Sequence, residues 1–231
     1  MRRLLLATAF LMPAALGGCV NDARIAMPSD LQANTEVLKV TGMGGWQDGR
    51  FRLGASEGRF SRRATQTKIF DTFIRNAGGG SFEVTGPELG GTAGGRCGFD
   101  EREIDAGIAI VPNGRLTYTC AFHRDGRPLQ GGLMLAEVPH GTGILAGRTR
   151  AGEVRLDQLT VAIRPIHHAR GGGLPTGTPL GYAFEVGGRQ IGAVDLNGTH
   201  KTIYAPSRPG PERDAVLMAS LALSVFWDPG A

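Results

Sequence analysis

DAVLMASLALSVFW, running from Asp214 to Trp227, is apolar at nearly every position after its aspartate, in a chain that is otherwise polar and rich in glycine. Its ends carry helix signals. Pro209 and Pro211 precede it, Glu212 and Asp214 suit the positive end of the backbone dipole, and Asp228-Pro229 supplies a stop. The reading predicts a helix over about 212–226. Only Ser220 and Ser224 interrupt the apolar run, and each hydroxyl can bond back to the preceding turn. A run of about 13 residues rises about 20 Å, short of the roughly 30 Å of a bilayer's hydrocarbon layer. It is therefore not a membrane span, and a helix without a wet face is buried on all sides.

What surrounds it is read from the middle of the chain. From Val37 onward no helical period is sustained, and short alternating runs punctuated by glycine recur, the pattern of a sandwich or barrel. IDAGIAIV (104–111) and RLTYTCAF (115–122) read as a hairpin through Asn113-Gly114, a pair suited to a type I′ turn. In the second strand Leu116, Tyr118, Cys120 and Phe122 share one face, with Thr117 and Thr119 on the other. Asp125-Gly126 turns toward GGLMLAEV, and Leu159, Val161 and Ile163 share a face further on. Tyr182, Phe184 and Val186 do the same before Gly187-Gly188 turns the chain back into QIGAVDL. FRLGASEGRF (51–60) faintly echoes FEVGGRQIGAV (184–194), a short match that weakly suggests related halves. In a protein made of strands, the simplest enclosure for an apolar helix is a barrel threaded by it.

The segments ERDAVLMASLALSVFWD, YAFEVGGRQIGAVDL, GRFRLGASEGRFSRR and TKIFDTF together resemble the tubby-like superfamily, which includes tubby C-terminal domains, phospholipid scramblases and LURP-one-related proteins. The resemblance implies a mainly β fold: an antiparallel barrel of about twelve strands around a buried hydrophobic C-terminal helix, in one domain over residues 37–231. It brings no catalytic residue. Phosphoinositide binding by tubby domains depends on basic residues without a located counterpart here. The hairpin holding Cys97 and Cys120 falls outside the matched pattern and reads as a candidate insertion.

The opposite end states an address. MRRLLLATAFLMPAALGGCVND has a basic start at Arg2 and Arg3, an apolar stretch from Leu4 to Leu16, and small residues before a cut. Leu16-Gly17-Gly18-Cys19 resembles the lipobox of bacterial lipoproteins, which implies a signal peptide over 1–18 and acyl chains, palmitate among them, on Cys19. A plain secretory signal with an incidental cysteine is the alternative. Val20 rather than aspartate after Cys19 favours the outer membrane, so the expected place is the cell envelope, lipid-anchored with the domain on the periplasmic face. Residues 19–36 then read as the lipidated Cys and a tether. Loss of the signal lowers the formal charge from +4 to about +2, too weak to point to nucleic acid. Cys97 and Cys120 remain, an even pair that reads as one disulfide in an oxidising compartment. Two free thiols or half a metal site are the alternatives.

Candidate chemistry is thin. Gly54-Ala55-Ser56-Glu57-Gly58 fits the nucleophile-elbow pattern, but RFSRRATQTKIF reads as a returning strand where that elbow needs a helix. His123, His140, His167, His168 and His200 show no metalloprotease or zinc-finger spacing and read as surface or loop residues. GGTAGG and HGTGILAG lack the ending of a phosphate loop. The densest basic group is Arg59, Arg62, Arg63 and Lys68, with Arg59 and Arg63 on one strand face and Arg62 with Phe60 on the other. It reads either as an anion patch for phospholipid or lipopolysaccharide headgroups, or as solvated strand charge. The function expected from all this is non-enzymatic binding or envelope maintenance, with no cofactor, metal or nucleic acid and with an envelope protein as another partner. An envelope hydrolase with an unrecognised site and a scaffold docking a partner through its C-terminal helix are the alternatives.

Overall fold

The computed structural model describes residues 24–44, 47–69, 73–105, 110–112, 117–140 and 147–226. The expected signal peptide over 1–18, Cys19, Asn113-Gly114 and Trp227 lie outside the described residues. A short helix α1 (Ser29–Asn34) leads into β1 (Thr35–Thr41), β2 (Asp48–Leu53), β3 (Ser56–Ile69), β4 (Phe73–Gly86) and β5 (Gly91–Asp105). Then come β6 (Ile110–Pro112), β7 (Thr117–Arg124), β8 (Arg127–Pro128), β9 (Gly131–His140) and β10 (Gly147–Leu156). β11 (Leu159–Ile166), β12 (Gly181–Val186), β13 (Arg189–Asp195) and β14 (Lys201–Pro206) precede helix α2 (Pro211–Val225).

The chain is mainly β, and twelve of these strands form a closed antiparallel barrel. Each ring strand pairs with its neighbour in the chain, and β14 returns to β1, with Leu38 opposite Ile203. Closure removes the free edges that would otherwise invite strand pairing with another molecule. β6 and β8 are short flanking strands on β5 and β7. Tight turns follow the glycine signals: Asp125-Gly126 has φ of 48° and 74°, and Gly187-Gly188 has 58° and 79°. Such positive pairs match the twist of the flanking strands.

The alternation along β7 buries Tyr118, Cys120 and Phe122 and exposes Thr117, Thr119 and Ala121. Its partner differs from the expected one. β7 pairs with the first part of β5, Phe99 opposite Tyr118 and Cys97 opposite Cys120, while residues 110–112 fold back on the far end of β5. The pairing with residues 93–100 sets the inward Cys97 and Phe99 beside Cys120 and Tyr118. Cys97 and Cys120 form a disulfide between these two ring strands, so their hairpin belongs to the barrel and is not an insertion.

The expected tether over 19–36 is also shorter than the sequence suggested. Ile25 is 1% exposed, Leu31 is buried, and both pack against Ala193 and Tyr204 on the outer wall. The Ile25 N–H donates to Asp195 Oδ2 at 3.1 Å, and Ala26 N and Arg170 N make backbone bonds between this segment and residues 168–170. The segment escapes periodicity because isolated apolar residues, not a repeating face, anchor it.

Helix α2 runs along the inside. Every residue from Ala215 to Val225 is buried, and the helix touches β3, β4, β5, β10, β11, β13 and β14. The absence of a polar stripe follows from this enclosure, since every helical face meets the inner row of some strand. β13 approaches so closely at Gly192 that a Cβ would lie 2.7 Å from Tyr204 O and 2.9 Å from Val216 Cγ1. Among the described residues no helix is long and apolar enough to cross a membrane.

Candidate functional site

The two ends of the barrel differ in charge and closure because a buried helix leaves orphan N–H groups at its start and orphan carbonyls at its finish. At the start, Pro211 occupies the first turn, and Glu212 and Asp214 meet the positive dipole end. Strand-borne cations answer them: Arg189 contacts Glu212 at 2.8 Å and Arg124 contacts Asp214 at 2.9 Å. Arg213, largely buried, donates to Pro206 O at 2.8 Å and bridges Glu36 and Glu88 at 2.8 and 2.9 Å. Ion pairs tie the helix to the wall at this end.

The finish of α2 is held differently. Tyr118 Oη donates to Ala222 O at 2.7 Å from the barrel wall, and complete burial pushes its phenol pKa upward. Arg62 projects from β3 into the barrel mouth, where Nη1 donates to Ser224 O at 3.4 Å and Nη2 to Gly44 O. Its guanidinium also stacks 5.1 Å from the Phe60 ring centroid. Arg150, 4% exposed on β10, stacks at 5.1 Å on Phe226, which in turn packs against Tyr118 and Phe99. Lys201 at the start of β14 donates to Leu196 O at 2.6 Å and Gly198 O at 3.3 Å.

These three cations line one cavity of about 590 Å³, together with Met43, Tyr182, Pro179, Leu223 and Phe226. No Asp or Glu is among its described lining residues. Burial and the nearby Arg62 charge lower the Lys201 pKa, with Asp195 opposing, and burial lowers that of Arg62. The mouth thus gathers three cationic groups around one cavity, an arrangement that favours an anion there. The helix's negative end supplies part of the compensation through Ser224 O. The arrangement can orient an oxyanion beside an apolar floor.

The residues singled out from sequence are not gathered in one place. Arg59 lies outside on β3, 2.8 Å from Glu83, and Arg63 is exposed on the same outer face. Arg62 is the inward member just described, and the Lys68 side chain lies outside the described residues. The four thus do not form one surface patch: strand alternation sends Arg62 to the barrel mouth and leaves Arg59 neutralised by Glu83. Ser56 is 1% exposed, follows the Gly54-Ala55 turn, and its Oγ accepts from Glu88 N at 3.1 Å. Its hydroxyl fastens a hairpin to the turn before β5.

His167 lies in the loop after β11, as expected, but it is buried and not at the surface, being 5% exposed. Its Nδ1 donates to Thr176 O at 2.7 Å, so in the neutral ring Nε2 accepts from the Thr149 hydroxyl at 2.9 Å. It thereby clasps the base of the loop between β11 and β12. His168 and His200 are exposed, His123 lies 4.0 Å from Glu83, and the His140 side chain lies outside the described residues. Among the described residues no three His, Cys, Asp or Glu side chains form a metal-holding group.

Sequence reasoning missed Arg150 and Lys201. The signal that could have found them is weak, since they lie on different strands far apart in the chain and only the ring order brings them to Arg62. No protein-family model matches the chain, and neither does any curated protein or solved structure.

Proposed function

We propose that the protein is a lipid-anchored envelope lipoprotein, held at the outer membrane through Cys19, that works by binding an anionic ligand rather than by covalent chemistry. The observation that carries this reading is the convergence of Arg62, Arg150 and Lys201 on one cavity with an apolar floor. Anionic lipid headgroups are the ligand chemistry that best suits such a mouth on a membrane-tethered domain, because the bilayer presents them at high local concentration. Placement in the tubby-like superfamily belongs to the same proposal and rests on the shared layout alone, a ring of about twelve strands around a C-terminal helix.

The test is sedimentation of a Cys19→Ser chain, which carries no acyl group, with vesicles of phosphatidylcholine alone or with phosphatidylglycerol added. Binding is expected only to the anionic vesicles, falling several-fold in Lys201→Met and again on raising the salt. Methionine keeps most of the apolar stem, so packing is little changed. Equal sedimentation with neutral and anionic vesicles, or an unchanged Lys201→Met, sinks the reading.

A further inference from the structure

The N-terminal segment leaves the barrel beside one loop, and that loop carries an exposed apolar tip. Arg170 N donates to Arg24 O at 2.6 Å, and Ile25 forms a bridge with Ala169. Four residues after Arg170, Leu174 is 93% exposed. It follows Gly171, Gly172 and Gly173, whose φ of 95°, 91° and 121° lie where L side chains rarely go. The loop's base is fixed: Thr176 N donates to His167 O at 2.9 Å, and His167 Nδ1 donates to Thr176 O. A lone exposed leucine is ordinary on a protein surface. Here it projects from a pinned loop, beside the chain's exit, at the barrel end that holds the cationic mouth.

Which surface that end meets follows from chain length. Only about five residue steps separate Cys19 from Arg24, so at full extension the anchor stands within about 17 Å of the docked segment. A barrel so tethered presents its helix C-terminal end to the lipid. Exposed Arg24, His168, Arg170 and His200 surround this end. Leu174 and these cations thus share the one end that the tether can bring to a bilayer.

We propose that residues 167–180 form the surface on which the barrel rests on the lipid, with Leu174 entering the boundary between headgroups and acyl chains and Arg24 and Arg170 lying over the headgroups. The proposal rests on the reading of Cys19 as lipidated. The experiment uses the full lipidated chain in vesicles of phosphatidylethanolamine and phosphatidylglycerol, with a fluorophore on Leu174→Cys or, at the opposite end, on Arg208→Cys. Both positions are exposed, so neither substitution disturbs packing. Nitroxide carried on the lipids should quench the label at 174 several-fold more than the label at 208. Equal quenching, or stronger quenching at 208, in a protein that carries acyl groups and floats with the vesicles overturns the orientation alone. A chain without acyl mass on Cys19 that stays in solution overturns the orientation and the anchoring together.

Discussion

Ser220 and Ser224 are four residues apart on one buried helix, yet they meet different fates. Ser224 Oγ donates to Ser220 O at 2.7 Å, the back-bond that a serine in mid-helix can make. Ser220 Oγ is buried with no hydrogen-bond partner among the described residues. A buried hydroxyl without a partner costs about 1–3 kcal/mol relative to its hydrated state. Ser220→Ala is therefore expected to raise stability by about 1 kcal/mol, read as a higher denaturant midpoint at an unchanged slope. Ser224→Ala should lower it by a similar amount, and a loss of stability in Ser220→Ala would show that the hydroxyl is satisfied. Arg62 teaches the same lesson about side chains of one type. Arg59 and Arg63 share its cluster in sequence, but period-2 alternation turns Arg62 alone inward, where its charge meets a helix end instead of solvent.

At the scale of elements, α2 was legible because a helix with no polar stripe admits few surroundings, and its ends were marked by prolines and acids. The partner of β7 differs from the expected one because a local turn signal speaks only about neighbours, whereas β5 is long enough to accept both β6 and β7. Close packing sets where the sheet must give way to the helix. At Gly192 a methyl group would press on Tyr204 O and Val216, backbone and branched side chain that have little freedom to yield. Gly192→Ala is expected to cost about 1–3 kcal/mol, the usual penalty of overpacking. Denaturant unfolding measures it directly. A neutral result would mean that β13 can shift away from the helix, and that the axis is held less tightly than the contacts imply.

For the whole molecule, the helix is enclosed by the ring and touches strands on every side of it. The sequence could suggest enclosure but not its partners: Arg62, Arg150 and Lys201 lie far apart in the chain and meet only through the order of twelve strands. The strand count itself came from resemblance, since glycine-punctuated runs do not say how many ring members close. Val216, Leu217, Met218, Leu221, Leu223 and Val225 are each at most 2% exposed, so the helix fills the centre. Burying six such side chains contributes on the order of 10 kcal/mol, as much as the roughly 5–15 kcal/mol that ordinarily separates a folded domain from its unfolded chain. Deleting residues 211–231 should consequently leave no cooperatively folded barrel, seen as a flat thermal transition and loss of near-ultraviolet circular dichroism. The Cys97–Cys120 bond joins only neighbouring strands and cannot replace the missing filling. A truncated chain that remained soluble with a sharp transition would instead mark α2 as a tail free to dock elsewhere, because only a helix outside the essential core could be removed at so little cost.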